Sequence, residues 1–137
     1  EYSVDNLKIY LHINSFGGSV FAGLSIIDTI IGNAVPIVSI VEGSAASAAT
    51  LISVVCSERI IRPNSFMLIH QLSSGFWGKM EEIRDEFINL KKLTKKLKGI
   101  YKEHTTIEKE SLKSLLKRDL WLDSSESLSY GLVDRVE

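Results

Sequence analysis

Residues 43–50, reading GSAASAAT, leave this chain few folds to choose from. They follow PIVSIV (36–41), an apolar, β-branched run that reads as a buried strand, and they lead into LISVV (51–55), which continues as a buried helix. A strand passing directly into an alanine-rich helix predicts a helix packed hard on a sheet, because small side chains let the two backbones approach closely. Such a turn also puts Ser47 at the end of the sheet, with the first N–H groups of the new helix pointing toward whatever lies beside it. Close packing accounts for the alanines by itself. The meaning of the serine therefore rests on the residues that accompany it.

The rest of the chain repeats this alternation. Residues 7–13 (LKIYLHI) read as a strand feeding Gly17 and Gly18, whose backbone freedom permits a close approach to the main chain. A helix follows over 20–31, with Phe21, Leu24, Ile27, Ile30 and Ile31 on one face, stopped by Gly32 and Asn33. After strand 36–41 and a helix over 45–55 come a strand at 59–61, a turn at 63–65 and a strand over 66–70. Strand and helix in alternation predict an α/β fold with a largely parallel sheet. The pattern then changes. Residues 79–104 form one helix of about 39 Å, with Met80, Ile83, Phe87, Leu90, Leu97 and Tyr101 along a narrow seam. A helix that long projects beyond its sheet, and its seam is expected to pack on a neighbouring subunit. Capping boxes are expected at Thr105–Glu108 and at Asp123–Glu126, the second opening a short helix that ends at Gly131, before strand character resumes at 132–134.

Composition narrows the function. With 137 residues the chain fits one domain, and a hydrophobic content of 45% suggests an oligomer with buried faces. No apolar run approaches the length of a membrane span, and no signal peptide is read at the start. The lone Cys56 lies in an apolar run and is expected in the core, in keeping with a reducing compartment. Residues 79–118 hold twelve Lys and Arg against seven Asp and Glu. These charges interleave along a helix without paired aromatics, so they read as a solvated face and not as a nucleic-acid surface. No HExxH or Cys/His cluster suggests a metal, and Gly17-Gly18 lacks the spacing and lysine of a phosphate loop.

Three polar residues stand where an α/β sheet presents its ligands, beyond the carboxyl ends of the strands. Ser47 opens a helix after a strand, His70 closes an apolar strand, and Asp119 ends a helix after Lys117 and Arg118. A serine hydroxyl needs a base to take its proton during attack. An imidazole serves near neutral pH, and a carboxylate on its other nitrogen holds the tautomer. Gly18 N–H and Ala48 N–H are the candidate donors to a developing oxyanion. His12, within a strand, and His104, at a helix C-terminus where the dipole favours it, compete with His70.

Taken in order, INSFGGSV (13–20), AGLSIIDT (22–29), GSAAS (43–47), PNS (63–65), MLIHQ (67–71), KRD (117–119) and YGLVD (130–134) resemble the ClpP family of caseinolytic serine peptidases, over about residues 8–136. The resemblance implies a ClpP/crotonase-like fold, with Ser47 as nucleophile, His70 as base, Asp119 as orienting acid, and Gly18 and Ala48 as oxyanion donors. It implies that an extended peptide is bound as an added strand between Gly17, Ser19 and Val20 on one side and Leu72 and Ser73 on the other. The helix at 79–104 looks like the family's handle, which interlocks two rings into a barrel. The implied activity is hydrolysis of unfolded polypeptide without a cofactor, ATP being used by an AAA+ unfoldase partner, in the cytoplasm or an organelle matrix or stroma. Phe16 stands where the family usually has proline, Ala48-Ala49 replaces Met-Gly, and the connection from Ser47 to His70 is slightly short. Against the family, residues 1–137 read as a single peptidase domain without the N-terminal axial loop, first helix and first strands. Two other readings stay open at this point: a catalytically inactive ring subunit, and an acyl-CoA enzyme of the crotonase group.

Overall fold

A computed structural model describes residues 4–137. After a short 3-10 turn at Val4–Asn6 the order is β1 (Ile9–Ser15), α1 (Val20–Ile31), β2 (Ile37–Ala46), α2 (Ala48–Val54), β3 (Glu58–Ile61), β4 (Phe66–Leu68), α3 (Met80–His104), α4 (Lys109–Leu115), α5 (Ser124–Ser129) and β5 (Arg135–Val136). The five strands form one sheet in the order β1-β2-β3-β5, with β4 also on β2, and every pairing is parallel. This is the α/β architecture expected from the alternating pattern, long α3 included.

β2 is the centre of the sheet, and it changes partners halfway. Val38–Val41 pair with β3, whereas Ser44–Ala46 pair with β4. On the other side, the register against β1 jumps between Ile13↔Val41 and Ser15↔Ala45. The extra residues of β2 form a bulge, which bends the strand and re-aims it. Gly43 sits in this bulge at φ 74°, where a Cβ would lie 2.8 Å from Asn14 Oδ1. Its N–H donates to the buried Ser65 hydroxyl at 2.8 Å, and the Ser44 N–H donates to Asn14 Oδ1 at 3.2 Å. The consequence for function is that β1, β2 and β4 end side by side.

The core lies between the sheet, α2, the C-terminal part of α3 and α4, and includes Val41, Val54, Ile61, Met67, Ile69, Leu112 and Leu132. Arg59 ties its lower edge together. The guanidinium donates to the Asp134 carboxylate at 2.7 Å and to the His104 carbonyl at 2.7 Å, so it joins β3, the end of α3 and the approach to β5. Those bonds hold the Asp134 carboxyl below its usual range. Cys56 is buried as expected, and burial pushes its thiol up to about 11.

Several local expectations need correction. Ala45 and Ala46 belong to β2 and not to the following helix, because the bulge lets the strand continue beside β4. β4 stops at Leu68, leaving Ile69 and His70 beyond the ladder. Thr105 closes α3, its hydroxyl donating to the Tyr101 carbonyl, while α4 starts from Glu108 with no side-chain cap. The box at Asp123 and Glu126 does form, the Glu126 N–H donating to Asp123 Oδ1 at 2.8 Å. The last strand is Arg135–Val136, not 132–134, since Leu132 and Val133 turn into the core. On α1, Ile27 is buried, whereas Phe21 and Ile31 face outward. The first half of α3 likewise exposes Met80, Ile83 and Phe87, and only Leu97, Ile100 and Tyr101 are buried.

Candidate active site

The joined carboxyl ends of β1, β2 and β4 converge on Ser47. It occupies the single residue between β2 and α2 with φ 57° and ψ −124°. Among the described residues it is the one non-glycine residue at positive φ. Holding a side chain there costs on the order of 1–3 kcal/mol, and such strain survives only where neighbouring structure imposes it. Here the neighbours are explicit. The Ser47 N–H donates to the Leu68 carbonyl at 2.9 Å, and the Ser47 carbonyl accepts from the Thr50 N–H at 3.0 Å and the Thr50 hydroxyl at 2.6 Å. The hydroxyl of Ser47 does not cap α2, and the residue is half-buried. It is left available for other partners.

Gly17 presses on this turn. At φ 91°, a Cβ on Gly17 would lie 2.6 Å from the Ala46 carbonyl oxygen, 2.9 Å from the Ser47 Cβ and 3.0 Å from the Ala48 nitrogen. Any other residue would push the glycine pair away from the serine. The structure therefore brings Gly17, Ser47 and Ala48 together, with Gly18 following directly. Ala48 is the first residue of α2, so its N–H has no intrahelical acceptor. Gly17, Gly18, Ser19, Ala48 and Ala49 line one side of an apolar cavity of about 370 Å³ shared with α1 and β1. Ser19 caps α1, its hydroxyl accepting from the Ala22 N–H at 3.3 Å, and its carbonyl accepts from the Gly23 N–H at 3.1 Å. Val20 is already helical, and the Gly17 N–H donates to Ser15 Oγ at 3.1 Å.

His70 and Asp119 stand on the far rim. A second cleft, of about 390 Å³, is lined by His70, Leu72 and Ser73 from one segment and by Lys117, Arg118 and Asp119 from another. What draws the second segment in is an antiparallel bridge, in which Leu122 and Met67 exchange both backbone bonds at 2.8 and 2.9 Å. Asp119 lies on the loop after α4 and not at a helix end, and it is exposed. His70 is half-buried, and its Nδ1 lies 2.7 Å from the Gln71 carbonyl oxygen. A carbonyl only accepts, so Nδ1 carries the proton and Nε2 is left as the acceptor. Among the described residues no hydrogen bond joins His70 to Ser47 or to Asp119. His70 and Asp119 share this cleft, and Ser47 is tied to the same strand by its bond to the Leu68 carbonyl.

The two competing histidines are accounted for. His12 is exposed on β1 and pairs with Glu42 at 2.8 Å, and His104 ends α3 with its carbonyl taken by Arg59. Among the described residues no cluster of His, Cys, Asp or Glu could hold a metal ion. Nor is any helix among them long and apolar enough to cross a membrane. Sequence reasoning missed three contributors. One is the Gln71 carbonyl. Another is Thr50, whose position three residues after Ser47 is the spacing for a back-bond and was a usable signal. The third is Tyr101, whose hydroxyl lies 2.5 Å from Thr50 Oγ1, and nothing local in the sequence points to it. Phe16 was noted only as a departure. It meets Trp121 edge to face, with centroids 6.2 Å apart, so the glycine segment touches the Asp119 loop.

The Clp protease family model matches residues 1–137. Among curated relatives, the ATP-dependent Clp protease proteolytic subunit of Deinococcus radiodurans is 35% identical over 131 residues, covering 94% of this chain and 64% of that protein. The ATP-dependent Clp protease proteolytic subunit 2 of Treponema denticola is 36% identical over 130 residues, covering 93% and 65%. The chain thus spans just under two thirds of the length of these relatives.

Proposed function

The chain belongs to the Clp protease family, and we propose that it is a serine endopeptidase acting on unfolded polypeptide. In this reading Ser47 is the nucleophile, His70 the general base and Asp119 the group that orients the imidazole. The observation that carries it is the backbone of Ser47: a strained strand-to-helix turn, held by Leu68 and Thr50, with the hydroxyl left uncommitted. Residues held in such strained conformations cluster at active sites.

The geometry supports the following reaction. Nδ1–H on His70 leaves Nε2 as acceptor, the tautomer that takes a proton from a serine hydroxyl. Attack of Ser47 Oγ on a peptide carbonyl forms a tetrahedral adduct with negative charge on the carbonyl oxygen, and this becomes the ester when the C–N bond breaks. Gly18 N–H and Ala48 N–H, held beside Ser47 by the close approach of Gly17, stabilise that charge. The protonated imidazole then gives its proton to the leaving amine, and water repeats the cycle on the ester. An extended substrate would lie between the main chain at Gly17, Ser19 and Val20 and the segment at Leu72 and Ser73. Closure requires the imidazole to exchange the Gln71 carbonyl for Asp119, a rearrangement of side chains on one cleft.

Assembly is part of the proposal. The outward apolar residues Met80, Ile83 and Phe87 on α3 suit a handle that interlocks copies of the chain into stacked rings, fed by an AAA+ partner. A second reading is favoured by one observation, the His70–Gln71 bond: a ring subunit in which the site stays unlinked and silent. A fluorophosphonate probe on the assembled protein separates the two. The peptidase reading expects a covalent adduct on Ser47 that is absent in Ser47→Ala. An assembled ring that takes no adduct supports the silent subunit.

A further inference from the structure

The buried Thr50 and Tyr101 hydroxyls form a chain with a fixed direction. Thr50 has one hydroxyl proton, and the Ser47 carbonyl at 2.6 Å can only accept it. The contact at 2.5 Å is therefore Tyr101 O–H donating to Thr50 Oγ1, which in turn donates to Ser47 O. Tyr101 and Thr50 are both fully packed, at 3% and 0% exposure. Burial pushes the phenol above its usual range, so the proton stays in place. The acceptor at the end of the chain matters. The carbonyl of Ser47 and the N–H of Ala48 belong to the same planar peptide unit and point in opposite directions. Whatever fixes one aims the other.

We infer that Tyr101, through Thr50, is a positioning residue for the Ala48 N–H donor of the oxyanion hole. The inference rests on the peptidase reading above for its catalytic consequence, though not for its geometry. It gives α3 a second task. The same helix that presents Met80, Ile83 and Phe87 outward carries, at its other end, the hydroxyl that sets the peptide plane next to Ser47. Among the described residues nothing else offers Thr50 Oγ1 a donor, so removing the phenol oxygen frees that hydroxyl to turn and the peptide to rock.

The test uses the assembled protein with Tyr101→Phe, Thr50→Val and Thr50→Ser. Two readouts are taken: the saturating rate and half-saturating concentration of fluorophosphonate acylation at Ser47, and amide hydrogen exchange over 47–50. Loss of an oxyanion donor outright lowers rates by about 10²–10³, so loss of its aim is expected to cost roughly tenfold. Tyr101→Phe and Thr50→Val should both slow the saturating acylation rate by that factor, with half-saturation unchanged and exchange over 47–50 faster. Thr50→Ser, which keeps the hydroxyl, should retain the wild-type rate. The double variant Tyr101→Phe with Thr50→Val should be no slower than Thr50→Val alone, because both cut one chain. A Tyr101→Phe protein of lower melting temperature but unchanged acylation and exchange overturns the inference, as does Thr50→Ser as slow as Thr50→Val. If wild-type protein takes no label, the peptidase reading falls. The exchange measurement then decides alone: faster exchange in Tyr101→Phe upholds the positioning role, and unchanged exchange overturns it.

Discussion

The two rims of the candidate site are built in opposite ways. On one, Ser47 is clamped by backbone bonds from β4 and α2, by the packing of Gly17 and by a buried hydroxyl chain reaching α3. On the other, His70 and Asp119 lie past the ends of their elements, in a segment (69–79) without regular structure and on a loop after α4. Among the described residues the His70 ring has a single hydrogen bond, and that bond is to its own neighbour. The Ser47 rim is preorganised because burial and strain there reinforce each other. The His70 and Asp119 rim is cheap to rearrange because it has little buried surface to hold it. The difference teaches where control of such a site can enter: in assembling the second rim, not in shaping the first.

Mutations can break or sharpen that contrast. The largest effect belongs to Ser47→Ala, expected to lower peptidase turnover by about 10⁴–10⁶ while leaving the fold intact, as read by turnover and circular dichroism. Asp119→Asn comes next, with a fall of about 10²–10⁴ in kcat. A fall of less than tenfold would show that the Gln71 carbonyl holds the working imidazole, so that the second rim is complete without the acid.

Gly17→Ala attacks the clamped rim through its backbone. With φ at 91° and backbone atoms at 2.6 and 3.0 Å from the added Cβ, a loss of about 2–3 kcal/mol in denaturant unfolding is expected, together with slower Ser47 labelling. Unchanged stability would mean that the glycine segment is as loose as the opposite rim.

The smallest effect lies away from both rims. The Arg59 guanidinium depresses the Asp134 carboxyl, so the folded state binds its proton less readily than the unfolded chain does. The contribution is then full above about pH 4, where the unfolded carboxyl is ionised, and is lost as pH falls through the lower folded value. Solvent screens the exposed Asp134 carboxylate, so Asp134→Asn should cost about 0.5–1 kcal/mol at neutral pH and flatten the acid limb of the stability curve. Equal acid sensitivity in variant and wild type would assign that limb to other carboxylates.

Much of the fold was legible along the chain. Strand and helix alternation, the long α3 and the box at Asp123 all follow from local periodicity and capping chemistry, which act over a few residues. The errors fell where long-range pairing decides. Ala45 and Ala46 have helical propensity, yet β4 recruits them as strand. Of the candidate site, the places of Ser47 and His70 just beyond strand ends could be read, whereas Asp119 falls on the loop after α4. The state of the second rim could not, since His70 chooses between acceptors on segments almost fifty residues apart. Tyr101 was invisible for the same reason, with 51 residues separating it from Thr50.

By itself the sequence determined the α/β class, the family and the run of small residues that carries a serine between strand and helix, because these depend on side-chain pattern and on motifs read in order. Only the tertiary structure decided that Ser47 is held at positive φ, that Gly17 lies against it and that a tyrosine from α3 reaches its carbonyl. Those are contacts between segments far apart in the chain. Their energies come from burial and from hydrogen bonds made after the sheet has closed, and no local pattern of residues carries them.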